Sequence, residues 1–409
     1  MLIHWIWFSQ REGLSDWEKA QLLQHYGDPE DIYFCAPEEL GAQVSLTAEG
    51  GKSLADKDLQ CAQDIMEVCS RERIHILTLR DAAYPYRLKN IPAPPPVLYY
   101  KGTLPDFDTT AVIAIVGTRK ASAYGLQIAG LMGQQIACCG GLVVSGLAAG
   151  VDAMAMTGAL KAGCPVVGVL GCGVDIVYPK SNKALFADTE RYGCIISEFA
   201  PGTPPYRWNF PKRNRIISGL SNGVLVVEAP EKSGALITAR QAADQGRDVF
   251  VVPGNIDNPA CAGSNQLLRW GAIPVSSGWD VLSEYEAQYS EKLHKTQLPL
   301  PAQKQEKSMP VEEENLPLTA KEENLKNKND KKVIDKEPPA PYSDVNDILP
   351  RLSEEECRIV TALTGGQRLV DDLIAETGLT TGKVLALLTM LELKKVIVRL
   401  PGKRITLKL

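Results

Sequence analysis

The residues that could do chemistry in this sequence are basic and amide side chains that follow short apolar runs. Arg119 lies two residues after Gly117, which ends the run AVIAIVG. Lys180 and Asn182 follow a second run, PVVGVLG, within the segment GCGVDIVYPKSN. Guanidinium and ammonium groups bind phosphate oxygens, and one arginine can hold a phosphate through two parallel hydrogen bonds. These residues therefore predict the binding of phosphate groups.

Further segments extend this set. In VVSGLAAGVDAMA, Ser145 and Gly146 end a strand-like run, and Gly150 opens a helical segment. In KSGALITA, Ser233 is of a type that caps helices. Helix N-termini of this kind offer free N–H groups to anions. The segment FPKRNR adds three cations and an amide, which are Lys212, Arg213, Asn214 and Arg215.

A second explanation of the same residues is that the glycines only permit tight turns and the cations are only solvated. For any single glycine that explanation is the better one. It is weaker for Arg119, Lys180, Arg213 and Arg215 together, because solvated cations should be spread around the fold. We therefore interpret the group as a phosphate-binding crevice.

The segments that must position these residues alternate between two patterns from residue 111 to about 285. Short apolar runs such as LVVSG, GVLVVEA and DVFVVPG are separated by helical stretches such as AYGLQIAGLMGQQIACC. Near-continuous apolar strands that alternate with helices predict an α/β fold with a parallel sheet covered on both faces. Ligands of such sheets bind beyond the carboxyl ends of the strands, where the cations stand.

Three motifs that could indicate catalysis or a cofactor do not fit. The segment GGKS at Gly50–Ser53 lacks the first glycine of a phosphate-binding loop, because Leu46 stands there. The segment GCG at Gly171–Gly173 has Ile176 in place of the third glycine of a dinucleotide site. Ser145 lacks the flanking glycines of a nucleophile elbow. With no paired Cys or His ligands either, the sequence predicts no cofactor, no metal and no catalytic residues.

The chain divides into four predicted parts. In the first, Ser15 is a predicted helix cap, apolar residues including Trp17 follow at helical spacing, and Gly27-Asp28-Pro29 breaks the helix. The segment after the sheet is rich in Lys, Glu, Asn, Gln and Pro, which is typical of a disordered linker. The last part reads as three helices and two strands joined at Pro401-Gly402. The predicted boundaries are a helical domain at 1–75, the sheet domain at 76–286, the linker at 287–348 and a winged helix at 349–409.

Composition indicates a cytoplasmic protein. No apolar run reaches the ~18 residues that a membrane helix needs, and the start MLIHWIWF has no basic leader. Ten cysteines are scattered without a framework spacing, which favours reduced thiols. The net charge of −5 still allows a cleft to concentrate a few cations.

Six ordered segments resemble the signature of one family. They are IVGTR, SGLAAGVDAMA, GCGVDIVYP, FPKRNRIISGLS, EAPEKSGALITA and FVVPGNID, and they resemble the DNA-processing protein A family, DprA, also called Smf. The resemblance implies a Rossmann-like core with a small N-terminal helical domain (of the SAM or helix–hairpin–helix type) and a C-terminal winged helix. It also implies a homodimer, not an enzyme, that binds single-stranded DNA and loads the RecA recombinase during natural transformation.

The resemblance also assigns roles by position. Arg119 and Lys180 match the family's DNA-phosphate contacts, and 213–215 would line the same pocket. The helix SNQLLRWGA is the candidate dimer interface. Met156 departs from the family, which usually has a histidine there. The full candidate DNA-binding set is Gly117, Arg119, Ser145, Gly146, Lys180, Asn182, Lys212, Arg213, Asn214 and Arg215.

Two alternatives remain open at this stage. A nucleotide enzyme similar to the lysine-decarboxylase-like phosphoribohydrolases would need a glutamate in its PGGxGTxxE loop, but here Ala239 and Arg240 follow Thr238. The aromatic residues Tyr206, Trp208 and Phe210 flank the predicted loop of FPKRNR. They could stack on bases or could anchor that loop, and the sequence does not distinguish these roles.

Overall fold

The computed structural model describes residues 1–36, 39–41, 44–296, 352–364, 366–377, 379, 383–384, 387–388, 390–391, 394, 396–400 and 404–407. The chain forms two compact units, Met1–Ser308 and Met309–Leu409, and each is treated separately below.

The first unit begins with a group of helices. Ser15 caps α2 as predicted, in a reciprocal arrangement with Glu18 that satisfies two of the free N–H groups at the helix start. Trp17 does not face the core as its spacing predicted, because 57% of its surface is exposed. The segment GGKS lies inside α4, so it is not a phosphate-binding loop. The helices are α1 (Leu2–Ser9), α2 (Asp16–Tyr26), α3 (Pro29–Phe34), α4 (Ala48–Ala55) and α5 (Gln60–Arg71).

A nine-stranded sheet follows, in the order β1-β2-β6-β5-β4-β3-β7-β8-β9. The apolar runs from 111 to 252 form β3 to β8, and these pair in parallel as the sequence predicted. The strands are β1 (His75–Thr78), β2 (Val97–Gly102), β3 (Val112–Val116), β4 (Leu142–Ser145), β5 (Val166–Val169), β6 (Cys194–Ser197), β7 (Gly223–Val226), β8 (Asp248–Val251) and β9 (Ile273–Pro274).

Two strands depart from the predicted parallel arrangement. β1 and β2 form an antiparallel pair, and β2 then pairs antiparallel with β6. The prolines that precede β2 favour an extended backbone but do not indicate which strand it pairs with. That partner lies nearly a hundred residues further along the chain, so no local pattern reveals the pairing.

Helices cover both faces of the sheet. One face packs against α7, α8 and the N-terminal helices through residues such as Met132 and Ala155, and the other packs against α10 and α11 through Ile216 and Ala239. The remaining helices of this unit are α6 (Tyr86–Lys89), α7 (Ala123–Cys138), α8 (Val151–Lys161), α9 (Lys183–Tyr192), α10 (Asn209–Leu220), α11 (Gly234–Asp244), α12 (Ala262–Arg269) and α13 (Gly278–Leu282).

The strand order contains one reversal. From β3 the chain adds β4, β5 and β6 on one side, and it then returns to place β7 on the other side of β3. The connections that leave β3 and β7 therefore diverge at the carboxyl edge, and a crevice opens between them. Open α/β sheets bind their ligands at such a reversal point.

The predicted linker begins too early. Tyr289 and Leu293 are buried against the sheet domain, and the Tyr289 hydroxyl accepts hydrogen bonds from Arg87 and Asn222. These apolar and aromatic side chains sit within a polar stretch, so composition averaged over the stretch concealed them. The rest of the predicted linker, 297–348, lies outside the described residues.

The second unit contains a small three-stranded sheet. Its core includes Ile359, Leu373, Ile397 and Ile405. The short strand β10 was not predicted, while the two predicted C-terminal strands form an antiparallel pair. Most of the predicted third helix and Pro401-Gly402 lie outside the described residues. The elements are α14 (Glu354–Leu363), β10 (Arg368–Leu369), α15 (Val370–Thr377), β11 (Ile397–Leu400) and β12 (Arg404–Leu407).

Within the described part of the chain, every helix is too short or too polar to cross a lipid bilayer.

The packing of α7 on α8 gives a test of the fold. A methyl group at Gly133 would overlap the backbone carbonyl of Ala155, whereas one at Gly130, in the same helix, would meet Met154 at an ordinary 3.7 Å. We expect Gly133→Ala to lower the free energy of unfolding by about 1–3 kcal/mol, because the helices must separate. Gly130→Ala should leave it unchanged or raise it by up to about 1 kcal/mol through helix propensity. Chemical denaturation measures both, and equal stabilities would contradict the close approach.

Candidate functional site

A cavity of about 570 Å³ lies at the reversal point of the sheet. The segment that follows β3 forms one wall, the N-terminus of α11 forms another, and α10 closes the side. Ser233 caps α11 as predicted, accepting a hydrogen bond from the backbone N–H of Ala235. The N-terminal turn of α11 therefore presents the positive end of the helix dipole to the cavity.

Glu228 fixes the loop that carries Arg119. Its carboxylate is 1% exposed and accepts hydrogen bonds from the backbone N–H and the hydroxyl of Ser122, at 2.9 and 2.5 Å. Its backbone carbonyl accepts a third from the N–H of Thr118 at 2.7 Å. Ser122 in turn caps α7 by accepting from Gly125. One residue at the end of β7 thus holds both ends of the loop from 118 to 122.

The same loop packs closely against the turn between β4 and α8. Gly150 has a φ of +83°, and a side chain there would overlap the backbone carbonyl of Thr118. A side chain at Gly117 would approach Val151 at 2.5 Å. Both positions therefore require glycine, and the close approach brings the loop of Arg119 against the start of α8.

Phe210 lies between two arginines at the cavity. The guanidinium carbons of Arg119 and Arg213 lie 5.3 and 5.9 Å from the centre of its ring. Arg119 is exposed, and its side chain lines the cavity. Its base is fixed by the loop while its guanidinium remains open to an incoming anion. The phosphate contact that the sequence predicted for Arg119 remains a prediction.

Arg213 is buried and holds the strand ends together. Its guanidinium donates to the backbone carbonyls of Gly146 and Val169 and to the side-chain oxygen of Asn214. These carbonyls follow β4 and end β5, so Arg213 joins two neighbouring strands to α10. It lines the cavity, but most of its donors are already used within the protein.

Burial changes the protonation of this arginine and of a nearby carboxyl group. Burial lowers the pKa of Arg213 to about 10; Asp152 opposes this shift, and the positive charge of Arg119 adds to it. Arg213 therefore remains charged at neutral pH. Burial raises the pKa of Asp152, while Arg213 and the backbone N–H of Gly146 favour its ionised form.

A smaller chamber of about 60 Å³ adjoins the first across Arg119 and Phe210. Gly146 and Tyr178 contribute to its lining, and the ring centre of Tyr178 lies 5.5 Å from that of Phe210. Lys180 is exposed two residues beyond Tyr178. Positively charged side chains therefore continue along the carboxyl edge of the sheet, from Arg119 at the main cavity to Lys180 after β5.

The structure separates the ten predicted residues into three groups. Those that line a cavity are Gly117, Arg119, Gly146, Arg213 and Asn214. Ser145 and Asn182 have internal roles, since Ser145 donates to the carbonyl of Ile115, and Asn182 donates to the carbonyls of Leu147 and Ala148. The remaining three are the exposed Lys180 and the pair Lys212 and Arg215.

Lys212 and Arg215 lie away from both cavities. Both approach Asp16 of α2, at 3.6 and 3.8 Å, and Arg215 also pairs with Glu198 and donates to the carbonyl of Ala93. The segment FPKRNR was predicted as a loop after β6, but it lies in α10. Residues three apart share a helix face, so 212 and 215 point together towards the N-terminal helices.

Two lysines at the cavity and the glutamate that anchors the Arg119 loop were not predicted from the sequence. Lys120 and Lys232 line the main cavity, one beside Arg119 and the other before the Ser233 cap. Their positions next to Arg119 and Ser233 in the sequence could have identified them as candidates. Glu228 gave a signal too, because it is a charged residue at the end of an otherwise apolar strand.

The chemistry that this site can perform is the binding of an anion beside a flat ring. Arg119, Lys120 and Lys232 supply positive charge, and Phe210 supplies an aromatic surface. Asp152 is the one carboxylate among the described residues that line the main cavity, and it is buried. The described residues also contain no group of three or more His, Cys, Asp or Glu side chains placed to hold a metal ion.

Comparison with protein families gives two matches. Residues 75–286, more than half of the chain, match the model of the DNA recombination-mediator protein A family. Residues 338–403 match the DprA winged helix domain.

Individual relatives agree with these matches. A protein Smf of Synechocystis sp. is 34% identical over 411 residues, which cover 98% of this chain and 97% of that protein. The DNA processing protein DprA of Bacillus subtilis is 40% identical over 230 residues, covering 56% of this chain and 77% of that protein. The X-ray structure of DNA processing protein A from Streptococcus pneumoniae superposes with a TM-score of 0.62 at 31% identity, covering 69% of this chain and 98% of that one.

The contrast between the two arginines of the site can be tested by lysine substitution. Arg213→Lys keeps the charge but cannot maintain all the bonds to Gly146, Val169 and Asn214, so we expect the free energy of unfolding to fall by about 1–3 kcal/mol. Arg119→Lys changes an exposed side chain and should alter it by no more than about 0.5 kcal/mol. Chemical denaturation distinguishes the two, and an equally large effect at Arg119 would show that it is structural.

Proposed function

Since this chain belongs to the DNA recombination-mediator protein A family, we propose that it binds single-stranded DNA at the cavity of Arg119 and passes the strand to the RecA recombinase. It does so as a cytoplasmic homodimer, without catalysis, during natural transformation. The placement of the exposed Arg119 against Phe210 carries this proposal.

Arg119 and Phe210 together favour a single strand over a duplex. The guanidinium offers two donors to one phosphate, and the ring beside it offers a surface for a base. In a duplex the bases are stacked and paired, so none can enter a recessed cavity while its phosphate contacts Arg119. A single strand turns its bases out freely.

The distribution of carboxylates supports binding rather than hydrolysis. A phosphoribohydrolase would need an acid–base carboxylate near the start of α11, but Ala239 follows Thr238 there and is buried. Asp152 and Glu228 are both buried and accept hydrogen bonds from the protein itself.

An apolar groove supports the homodimer. It lies between α11 and α12, has a volume of about 920 Å³, and includes the exposed Ile237 and Trp270. Leu268, in the helix that the resemblance indicated, is only partly buried. A second copy of the chain would cover this surface and place two cationic cavities on one strand.

The proposed function is tested by measuring how the full-length protein binds fluorescent oligothymidylate and a blunt duplex of equal length, without metal or nucleotide. We expect clear preference for the single strand. A second arm adds RecA and measures strand exchange on DNA covered by single-strand-binding protein, where we expect faster exchange. Equal affinity for both DNA forms would refute the site, and unchanged exchange would refute the delivery step alone.

The Arg119 contact predicts a graded series of affinities. Arg119→Glu should weaken single-strand binding most because it reverses the charge, Arg119→Ala less, and Arg119→Lys least because it loses only the paired donors. In Arg119→Ala the slope of log K against log salt should also fall by roughly 0.7 for the lost phosphate contact. Fluorescence anisotropy at several salt concentrations measures both quantities. An unchanged slope with an unchanged affinity would place the phosphate elsewhere.

The dimer surface predicts an effect that depends on DNA length. Trp270→Glu, in the groove, and Leu268→Glu, beside it in α12, should yield monomers in sedimentation, because a charge on a surface buried between two copies must be desolvated on association. Affinity for long oligonucleotides should then fall while that for short ones stays unchanged, since only a long strand gains from two linked cavities. Ile256→Glu, at a 97% exposed residue that does not line the groove, is the matched control. Persistent dimers would place the interface elsewhere.

A further inference from the structure

We propose that Tyr206 and Trp208 form a second nucleobase site, outside the cavity, on which single-stranded DNA stacks as it leaves the Arg119 site. This inference rests on the proposed function and extends it, because it assigns a path to the strand beyond the cavity. It also decides between the two roles that the sequence left open for these aromatic residues.

The two rings form one exposed stack. Their centres are 4.7 Å apart, and their planes differ by 10°. Tyr206 is 45% exposed and Trp208 is 66% exposed. A loop anchor would be buried against the core, as Phe8 and Trp7 are in α1. The stack therefore exposes flat aromatic surface to solvent, which is unfavourable unless something covers it.

The segment that carries the rings is held in place by its backbone. The N–H of Tyr206 donates to the carbonyl of Pro204 at 2.8 Å, and the N–H of Asn209 donates to the carbonyl of Tyr206 at 3.0 Å. The buried side chain of Asn209 also donates to the carbonyl of Gly171 at 3.1 Å. Because the backbone is ordered before any ligand arrives, a base that stacks here loses less free energy to ordering the protein.

The stack lies next to the cavity along the chain. Phe210 follows Trp208 by two residues and lies against Gly171, the residue to which Asn209 is bonded. Both aromatic groups therefore sit at the carboxyl edge of the sheet. A strand with its phosphate at Arg119 and a base near Phe210 has the stack as its neighbouring aromatic surface.

The charge around the stack suits a polyanion. Arg207 lies between the two aromatic residues in the sequence and is exposed, whereas Lys212, one turn into α10, approaches Asp16. The sequence from 199 to 215 contains no acidic residue. Exposed aromatic rings interleaved with cations are the pattern by which proteins bind single strands, because every base has a flat face and every linkage a negative charge. These features select single-stranded DNA as the occupant.

The experiment compares full-length Trp208→Ala, Tyr206→Ala and Trp208→Phe on oligothymidylates of increasing length. Tyr192→Ala removes a ring of similar exposure (57%) from α9 and serves as the matched control. On long strands Trp208→Ala should bind roughly 5- to 100-fold more weakly, Trp208→Phe should recover most of the affinity, and Tyr192→Ala should match the wild type. The salt slope should not change, because no charge is removed.

Strand length and abasic residues separate the outcomes. The defect of Trp208→Ala should vanish on strands too short to leave the cavity, and one abasic residue at the stacking position should weaken the wild type but not Trp208→Ala. If the wild type binds single strands and Trp208→Ala matches it at every length, the stacking site is overturned while the proposed function stands. If the wild type binds no single-stranded DNA, the proposed function fails and the stacking site fails with it.

Discussion

The buried carboxylate of Glu228 is the interaction on which the functional edge depends. The reversal of strand order creates a crevice, but it also leaves the segment after β3 without a neighbouring strand to support it. Glu228 lies two residues after β7, across the reversal, and the hydrogen bonds that it accepts from Ser122 and Thr118 connect the two halves of the sheet at this point. A carboxylate at a helix N-terminus is itself favourable, so the same group stabilises the start of α7 and the position of Arg119.

The two cavity arginines show how one residue type can serve two purposes. Arg213 donates hydrogen bonds to backbone carbonyls and so maintains the shape of the site, while the donors of Arg119 remain available to a ligand. Each guanidinium interacts with the ring of Phe210, and these interactions offset part of the repulsion between the two like charges. The positive field in the cavity thus comes from a fixed internal charge together with a movable external one.

The parts of the fold and of the candidate site that could be predicted from the sequence are those that depend on neighbouring residues. The apolar runs predicted β3 to β8 and placed Arg119 at the carboxyl edge of the sheet, because strand direction alone determines at which edge the residues after a parallel strand lie. The roles of 212 to 215 could not be read in the same way. They depend on the segment being helical, which turns Lys212 and Arg215 towards Asp16, and on a partner nearly two hundred residues earlier in the chain. The antiparallel pairing of β2 with β6 could not be predicted either, because it also joins two segments that are far apart in the chain.

The attachment of α10 to the N-terminal helices has a consequence for the surface of the sheet domain. Asp16 lies close to both Lys212 and Arg215, and Glu198 also pairs with Arg215, so two of the four charged or amide groups in FPKRNR have acidic partners. A chain shortened to the sheet domain would lose Asp16 and leave Lys212 without this acidic neighbour, while Arg215 would keep its pair with Glu198. The surface of such a fragment would be more positive at α10 than that of the whole protein, so Asp16 lowers the non-specific attraction of this surface for polyanions.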